Sequence, residues 1–206
     1  DILQWSLDAV ALNEHIHTAH PDHRDFGSLH SHYLSMIGSN GELEFYHGNL
    51  RAQSVSGDNL FAPFDYCDYQ QIISEEVRSW SYLKFPYFSA LGTEHGWYRV
   101  GPLARINNCA FISTPLAEAA RQRFKAYGHG NLVHDTLAYH WARMIEVLRG
   151  LVSGHAILLV EHDMDAVFSI ANVVTVMVNG VVLMTGTPHA IRSSPQVQAA
   201  YLGTEH

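Results

Sequence analysis

Residues 114–150 read TPLAEAARQRFKAYGHGNLVHDTLAYHWARMIEVLRG, and two successive helical patterns lie in that stretch. The first is predicted over Pro115–Tyr127. Thr114 stands as its cap and Pro115 at the first helical position, where a missing N–H costs nothing, while Glu118 falls in the first turn and Arg121, Arg123 and Lys125 follow. The second is predicted over His134–Leu148, with Leu137, Trp141, Met144, Ile145 and Leu148 on one face, ending near Gly150. Working towards the N-terminus, residues 66–80 place Ile72, Ile73, Val77 and Trp80 at helical spacing, and Pro86 interrupts the aromatic-rich WSYLKFPYF that follows, whose rings are expected in a core. Residues 32–55 set short apolar runs around SNG and HGN turn signals, a small antiparallel meander. Residues 1–14 space Ile2, Leu3, Leu7, Val10 and Ala11 as an amphipathic helix.

Beyond Gly150 the texture changes. The β-branched and apolar run AILLV at 156–160 leads into EHDMD and a short helix. VVTVMV, the Asn179-Gly180 turn and VVLM then read as a hairpin, and two short helices close the chain. The expected fold class is mixed α+β, mainly helical, with a small β-meander followed by a partial α/β tail. The expected domains are 1–150 and 151–206.

Composition narrows the function classes. The chain has 206 residues, 47% apolar and 16% charged, with a formal net charge of -8, which suits a globular protein and not a disordered polyelectrolyte. Twelve basic against twenty acidic residues leave no basic stripe, so no nucleic-acid partner is expected. No apolar run approaches the roughly 18 residues of a membrane span, so no direct membrane insertion is expected either. Two cysteines, Cys67 and Cys109, with no CxxC between or around them, exclude a disulfide framework and a zinc ribbon and suggest a reducing, cytoplasmic compartment. Because residue 1 is Asp, truncation at the N-terminus is expected.

Candidate chemistry is sparse. His15, His17, His20, His23, His30 and His32 crowd the first 32 residues. The i, i+3, i+6 series His17, His20 and His23 could partly converge on a metal if helical, but Pro21 opposes a regular helix, and a solvated His-rich loop is the preferred reading. Glu75 and Glu76 are adjacent acids without a supporting catalytic motif, and Cys67 and Cys109 read as buried small side chains. LLVEHDMD at 158–165 places His162 at the carboxyl end of a strand, where open α/β sheets bind ligands.

Two family resemblances follow, carried by different residues. EEVRSWSYLKFPYFSALG at 75–92, GWYRVGPLARINNCAFISTPLAEAARQRF at 96–124 and TLAYHWARMIEVL at 136–148 resemble an internal part of the large subunit of cytoplasmic NAD-linked bidirectional nickel–iron hydrogenases. The resemblance extends over residues 1–148. It implies hydrogen oxidation coupled to NAD reduction in the complete enzyme, with a small subunit and diaphorase subunits as partners. That family holds its metals with two CxxC pairs, and neither pair exists here. The expectations are therefore no bound cofactor, no catalytic or metal-ligating residue, a chain inactive alone, and self-association through exposed apolar faces.

ILLVEHDMDAVFSIA, VMVNGVVLMTGTP and PQVQAAYLG, within residues 154–206, resemble the C-terminal end of an ATP-binding cassette ATPase of the branched-chain amino-acid type. That resemblance implies phosphate sensing at His162. The family's other ATP and magnesium contacts are lacking, because neither a GxxxxGK(S/T) loop nor a Walker B carboxylate is present. The chain thus reads as a chimera, with a nucleotide-responsive segment or a His-rich metal-binding module as alternative functions.

Overall fold

Pro115 presets the first turn, and helix α4 runs Pro115–Tyr127 as the spacing predicts. The Thr114 hydroxyl makes no capping bond. Glu118 does that work instead, accepting from the Ile112 N–H at 2.7 Å, which satisfies a donor just ahead of the helix and fixes the angle of entry. The computed structural model describes residues 2–152, 168 and 171–201. The chain divides into two compact units, Leu3–Ala156 and a second made of Ile157–His206 with the first two residues.

In the larger unit, helices α1 (Ile2–Ala19), α3 (Pro102–Asn108), α4 and α5 (Ala138–Val152) supply most of one apolar core, with α3 and α4 both packed on α5, while the one-turn α2 (Gly92–His95) adds no buried residue. The helix predicted from residue 1 extends past residue 14 because nothing breaks it before Pro21. Trp141 of α5 is fully buried, as are Phe124 of α4, Leu103 and Ile106 of α3 and Val10 of α1. The meander is present as β1 (His32–Ile37) and β2 (Asn49–Gln53), antiparallel with Tyr33 opposite Gln53 and Ile37 opposite Asn49. Gly48 is required where β2 begins, since a Cβ there would lie 2.2 Å from the Ile37 carbonyl oxygen. Short strands β3 (Phe64–Asp65) and β6 (Tyr98–Arg99) flank the pair in the order β3-β2-β1-β6, with β6 parallel to β1.

Residues 66–80 depart from the expected helix. They form a short 3-10 turn, Tyr66–Gln71, and then strand β4 (Ile73–Val77), paired antiparallel with β5 (Lys84–Phe88). The helical spacing of Ile72, Ile73, Val77 and Trp80 is overridden by pairing across the hairpin, where Ile73 faces Phe88 and the Ser74 and Ser89 hydroxyls meet at 2.7 Å. Pro86 is tolerated because this sheet has only two strands, both edges. The aromatic segment is core only at its end: Phe88 is fully buried, whereas Trp80 is 71% and Tyr82 97% exposed. Glu75 and Glu76 therefore alternate on a strand, not a helix, and pair with Lys84 and Arg78 respectively.

Four buried polar side chains tie loops to this frame. The Asn107 amide donates to the Val133 carbonyl and its oxygen accepts from the Val133 N–H, while Asn108 donates to the Ser35 hydroxyl and the Arg51 carbonyl. Arg121 donates to Glu118 and to the Cys109 and Ala110 carbonyls, and Glu146 of α5 accepts from Arg105 of α3.

The smaller unit contains β7 (Val174–Val178) and β8 (Val181–Gly186), joined by Asn179-Gly180 with φ of 50° and 79°. Positive φ at both central residues is the geometry that an Asn-Gly hairpin turn favours. Val174, Val176, Ile191 and Val197 are buried together, the last two from the helices Pro188–Arg192 and Pro195–Tyr201. The predicted strand at 156–160 and His162 lie outside the described residues. No helix among the described residues is long and apolar enough to cross a membrane.

Candidate functional site

The α4–α5 connection turns back over the β1 end of the meander, and a group of linked polar side chains gathers there. The Tyr33 hydroxyl, on β1, lies 2.9 Å from the Val133 carbonyl and 2.8 Å from Nδ1 of His134, and accepts from Arg99 of β6 at 2.7 Å. Arg99 also donates to the Ser31 hydroxyl and to the His134 and Leu29 carbonyls. The parallel pairing that sets Tyr33 opposite Arg99 brings these two side chains together. His30 closes the group, its ring centroid 4.5 Å from that of His134.

On the other side, Tyr127 donates to Asp135, and the guanidinium of Arg24 lies 4.0 Å over the Tyr127 ring while donating to that residue's carbonyl. These groups border a cleft of about 450 Å³ whose walls include Arg24, His30, His129, His134 and Asp135.

Burial sets the protonation states. The Tyr33 phenol is pushed well above its ordinary value by burial, against the opposing pull of Arg99, and Tyr127 is pushed up to about 12, first by burial and then by Asp135. His134 is lowered to about 4 by burial, reinforced by His30 and Arg99. Its ring is neutral at physiological pH, bonded to Tyr33 and also to the Val55 backbone. With those bonds made it positions the connection instead of shuttling protons.

The sign of the pH dependence follows. The unfolded chain takes up a proton on this residue near the ordinary value of 6.5, whereas the folded one resists until about 4. The His134 contribution is therefore full above pH 6.5 and is lost as pH falls from 6.5 towards 4. After discounting for solvent around a partly exposed ring, the loss by pH 5 is about 1 kcal/mol. Urea unfolding at pH 7 and pH 5 should show a smaller loss in His134→Asn than in the parent chain; equal losses would refute this assignment.

The other residues singled out from the sequence separate. His17 is buried in the core, its ring 5.8 Å from Tyr127 and 5.5 Å from Trp141, with Nδ1 on the Asn13 carbonyl. Only His20 and His23 of that series come together, and the third group beside them is Asp22. Cys109 is buried and its thiol is pushed up to about 11 by that burial. Cys67 is exposed, contrary to expectation, because it lies on the short turn after β3, where its N–H bonds Asp65. Its thiol is raised by the Asp65 carboxylate. Neither is an activated thiolate. The residues that the sequence did not single out, Tyr33, Arg99, His134 and Asp135, are joined across up to 101 positions, a separation that leaves no local signal.

The larger unit, a helical frame packed beside a short mixed meander, is similar to hydrogenase subunits. The chain is 38% identical over 149 residues to the NAD-reducing hydrogenase HoxS subunit beta of Cupriavidus necator, covering 71% of this chain and 30% of that one. The crystal structure of an NAD+-reducing nickel–iron hydrogenase in its hydrogen-reduced state matches with TM-score 0.70 and 44% identity over 74% of this chain and 34% of that one. The chain spans about a third of the length of these relatives.

The C-terminal part is of another kind. Residues 181–206 match the family described as branched-chain amino acid ATP-binding cassette transporter. A 47-residue stretch is 49% identical to the high-affinity branched-chain amino acid transport ATP-binding protein BraF of Pseudomonas aeruginosa, covering 23% of this chain and 18% of that one. The larger part of the chain is thus hydrogenase large-subunit-like and its end is ATPase-like.

The expectation of no bound cofactor is corrected by these relatives. The matched structure is by name a nickel–iron enzyme, so the proteins that this scaffold resembles imply a nickel–iron cofactor. The donors described here do not themselves fit that centre. It calls for soft thiolates, whereas Cys109 is sealed in the core and Cys67 stands alone on the surface.

Proposed function

We propose that residues 1–148 serve as internal scaffold of a nickel–iron hydrogenase large subunit, in a cytoplasmic enzyme that oxidises hydrogen and reduces NAD with a small subunit and diaphorase subunits as partners. The observation that supports this best is the 44% identity, at TM-score 0.70, to a structure of that activity. In this reading the metal centre supplies the redox chemistry, and the residues of this chain hold the frame around it. Arg105 and Glu146 brace α3 against α5, Asn107 fixes the α4–α5 connection, and the Tyr33–Arg99–His134 group locks that connection to the meander.

The test is a graft: residues 1–148 replace the matching stretch of the Cupriavidus necator β subunit, and hydrogen-dependent NAD reduction is measured in the purified complex. Retained turnover is expected. A grafted subunit that folds and assembles but does not turn over would overturn the reading.

For residues 154–206 we propose the C-terminal segment of an ATP-binding cassette ATPase, supported by the family match over 181–206, with His162 as its phosphate-sensing residue.

A further inference from the structure

We infer that His20, Asp22 and His23 form a surface site for a borderline divalent transition ion such as zinc. One ligand atom from each lies within 4.8 Å of the others, the only such group of three among the described residues. The backbone explains why. α1 ends at Ala19, the His20 N–H still reaches the Ile16 carbonyl at 3.0 Å, and Pro21 then starts a 3-10 turn, Pro21–Asp25, closed by the His23 N–H on the His20 carbonyl at 3.0 Å. Three residues per turn eclipse positions i and i+3, so the His20 and His23 rings stack at 5.0 Å with 20° between their planes. An α-helical continuation would have fanned the two rings apart by about 60°. Pro21, which argues against a metal site on a regular helix, is what brings this pair into line.

The donor chemistry suits the ion. Two imidazoles and one carboxylate are a common set for zinc, leaving a fourth position for water, and the carboxylate offsets one of the two positive charges. His20 and Asp22 are exposed, so rotation of their side chains can close the remaining gap to bonding distance. His23 supplies an independent sign. Its Nδ1 is shielded from solvent and has no hydrogen-bond partner among the described residues, an orphaned ring nitrogen that coordination would satisfy. The site is rigidly seated, because His17, one turn earlier on α1, is held in the core against Tyr127 and Trp141.

The experiment is a zinc titration of the full chain in competition with a chromophoric chelator. One tight equivalent is expected, and the double variant His20→Asn/His23→Asn should weaken it roughly a hundredfold, at least what loss of a supporting partner costs a metal site. Asp22→Asn should weaken it less, and His47→Asn, at an exposed histidine outside the cleft, should leave it unchanged. Cobalt(II) in place of zinc should show ligand-field absorption without thiolate charge transfer, which separates this site from Cys67 and Cys109. Equal zinc uptake by the parent and the double variant, or a thiolate band with cobalt, would overturn the inference.

Discussion

Trp141→Ala is expected to lower the unfolding free energy of the larger unit by about 3–5 kcal/mol. Trp141 is fully buried at the point where three helices meet. Its ring is edge-on to Phe124 of α4 at 5.1 Å and tilted against Tyr127 at 5.5 Å and His17 of α1 at 5.5 Å. Truncation loses the transfer free energy of an indole and leaves a void that rigid helices cannot fully close. Trp141→Phe should cost less, about 1–2 kcal/mol, because it keeps an aromatic ring and removes an indole N–H that has no partner among the described residues. Urea unfolding followed by tryptophan fluorescence is a clean readout, since Trp5, Trp80, Trp97 and Trp141 all belong to this unit. A cost below about 1 kcal/mol for the alanine variant would mean that the core is not organised around this ring. The same variant should also loosen the His20 site, because His17 loses one of the two rings that seat the end of α1.

How much of this was legible in the sequence depends on the range over which each residue acts. α4 is specified locally, by Pro115 at its start and charges ordered along its axis, and its bounds match the expectation. The Asn179-Gly180 turn is equally local, two residues whose backbone preferences choose the hairpin. Residues 66–80 depart from the helical expectation because Ile73 and Val77 satisfy a helical spacing by coincidence, whereas Phe88 and Lys84, which pair with them, lie outside any local window. The same holds for the polar group at Tyr33, since nothing near Tyr33 announces His134 or Arg99. The His-rich segment was half legible. The i, i+3 spacing of His20 and His23 is in the sequence, but that His17 turns inward and Asp22 takes its place follows from the core and from the 3-10 turn.

The second large effect lies in the α3–α5 brace, and it should be asymmetric. The Glu146 side chain is only 4% exposed, and it accepts from Arg105 through both oxygens, at 2.5 and 3.0 Å, and from the more exposed Arg143 at 3.0 Å. Arg105→Met strips the main partner from a buried carboxylate and should cost about 2–4 kcal/mol, towards the lower end of the range for breaking a buried pair because Arg143 remains. Glu146→Leu leaves the guanidinium of Arg105, which is partly exposed and stacked 5.3 Å over Phe45, and water can solvate it, so its cost should be smaller, about 1–2 kcal/mol. In the double variant neither charge is stranded and two apolar side chains face each other between the helices. Its stability should return to within about 1 kcal/mol of the parent chain, giving a coupling energy that a double-mutant cycle measures directly. If the two single losses simply add in the double variant, the ion pair is not what joins α3 to α5. Recovery would show that the brace specifies how the helices meet more than it stabilises them.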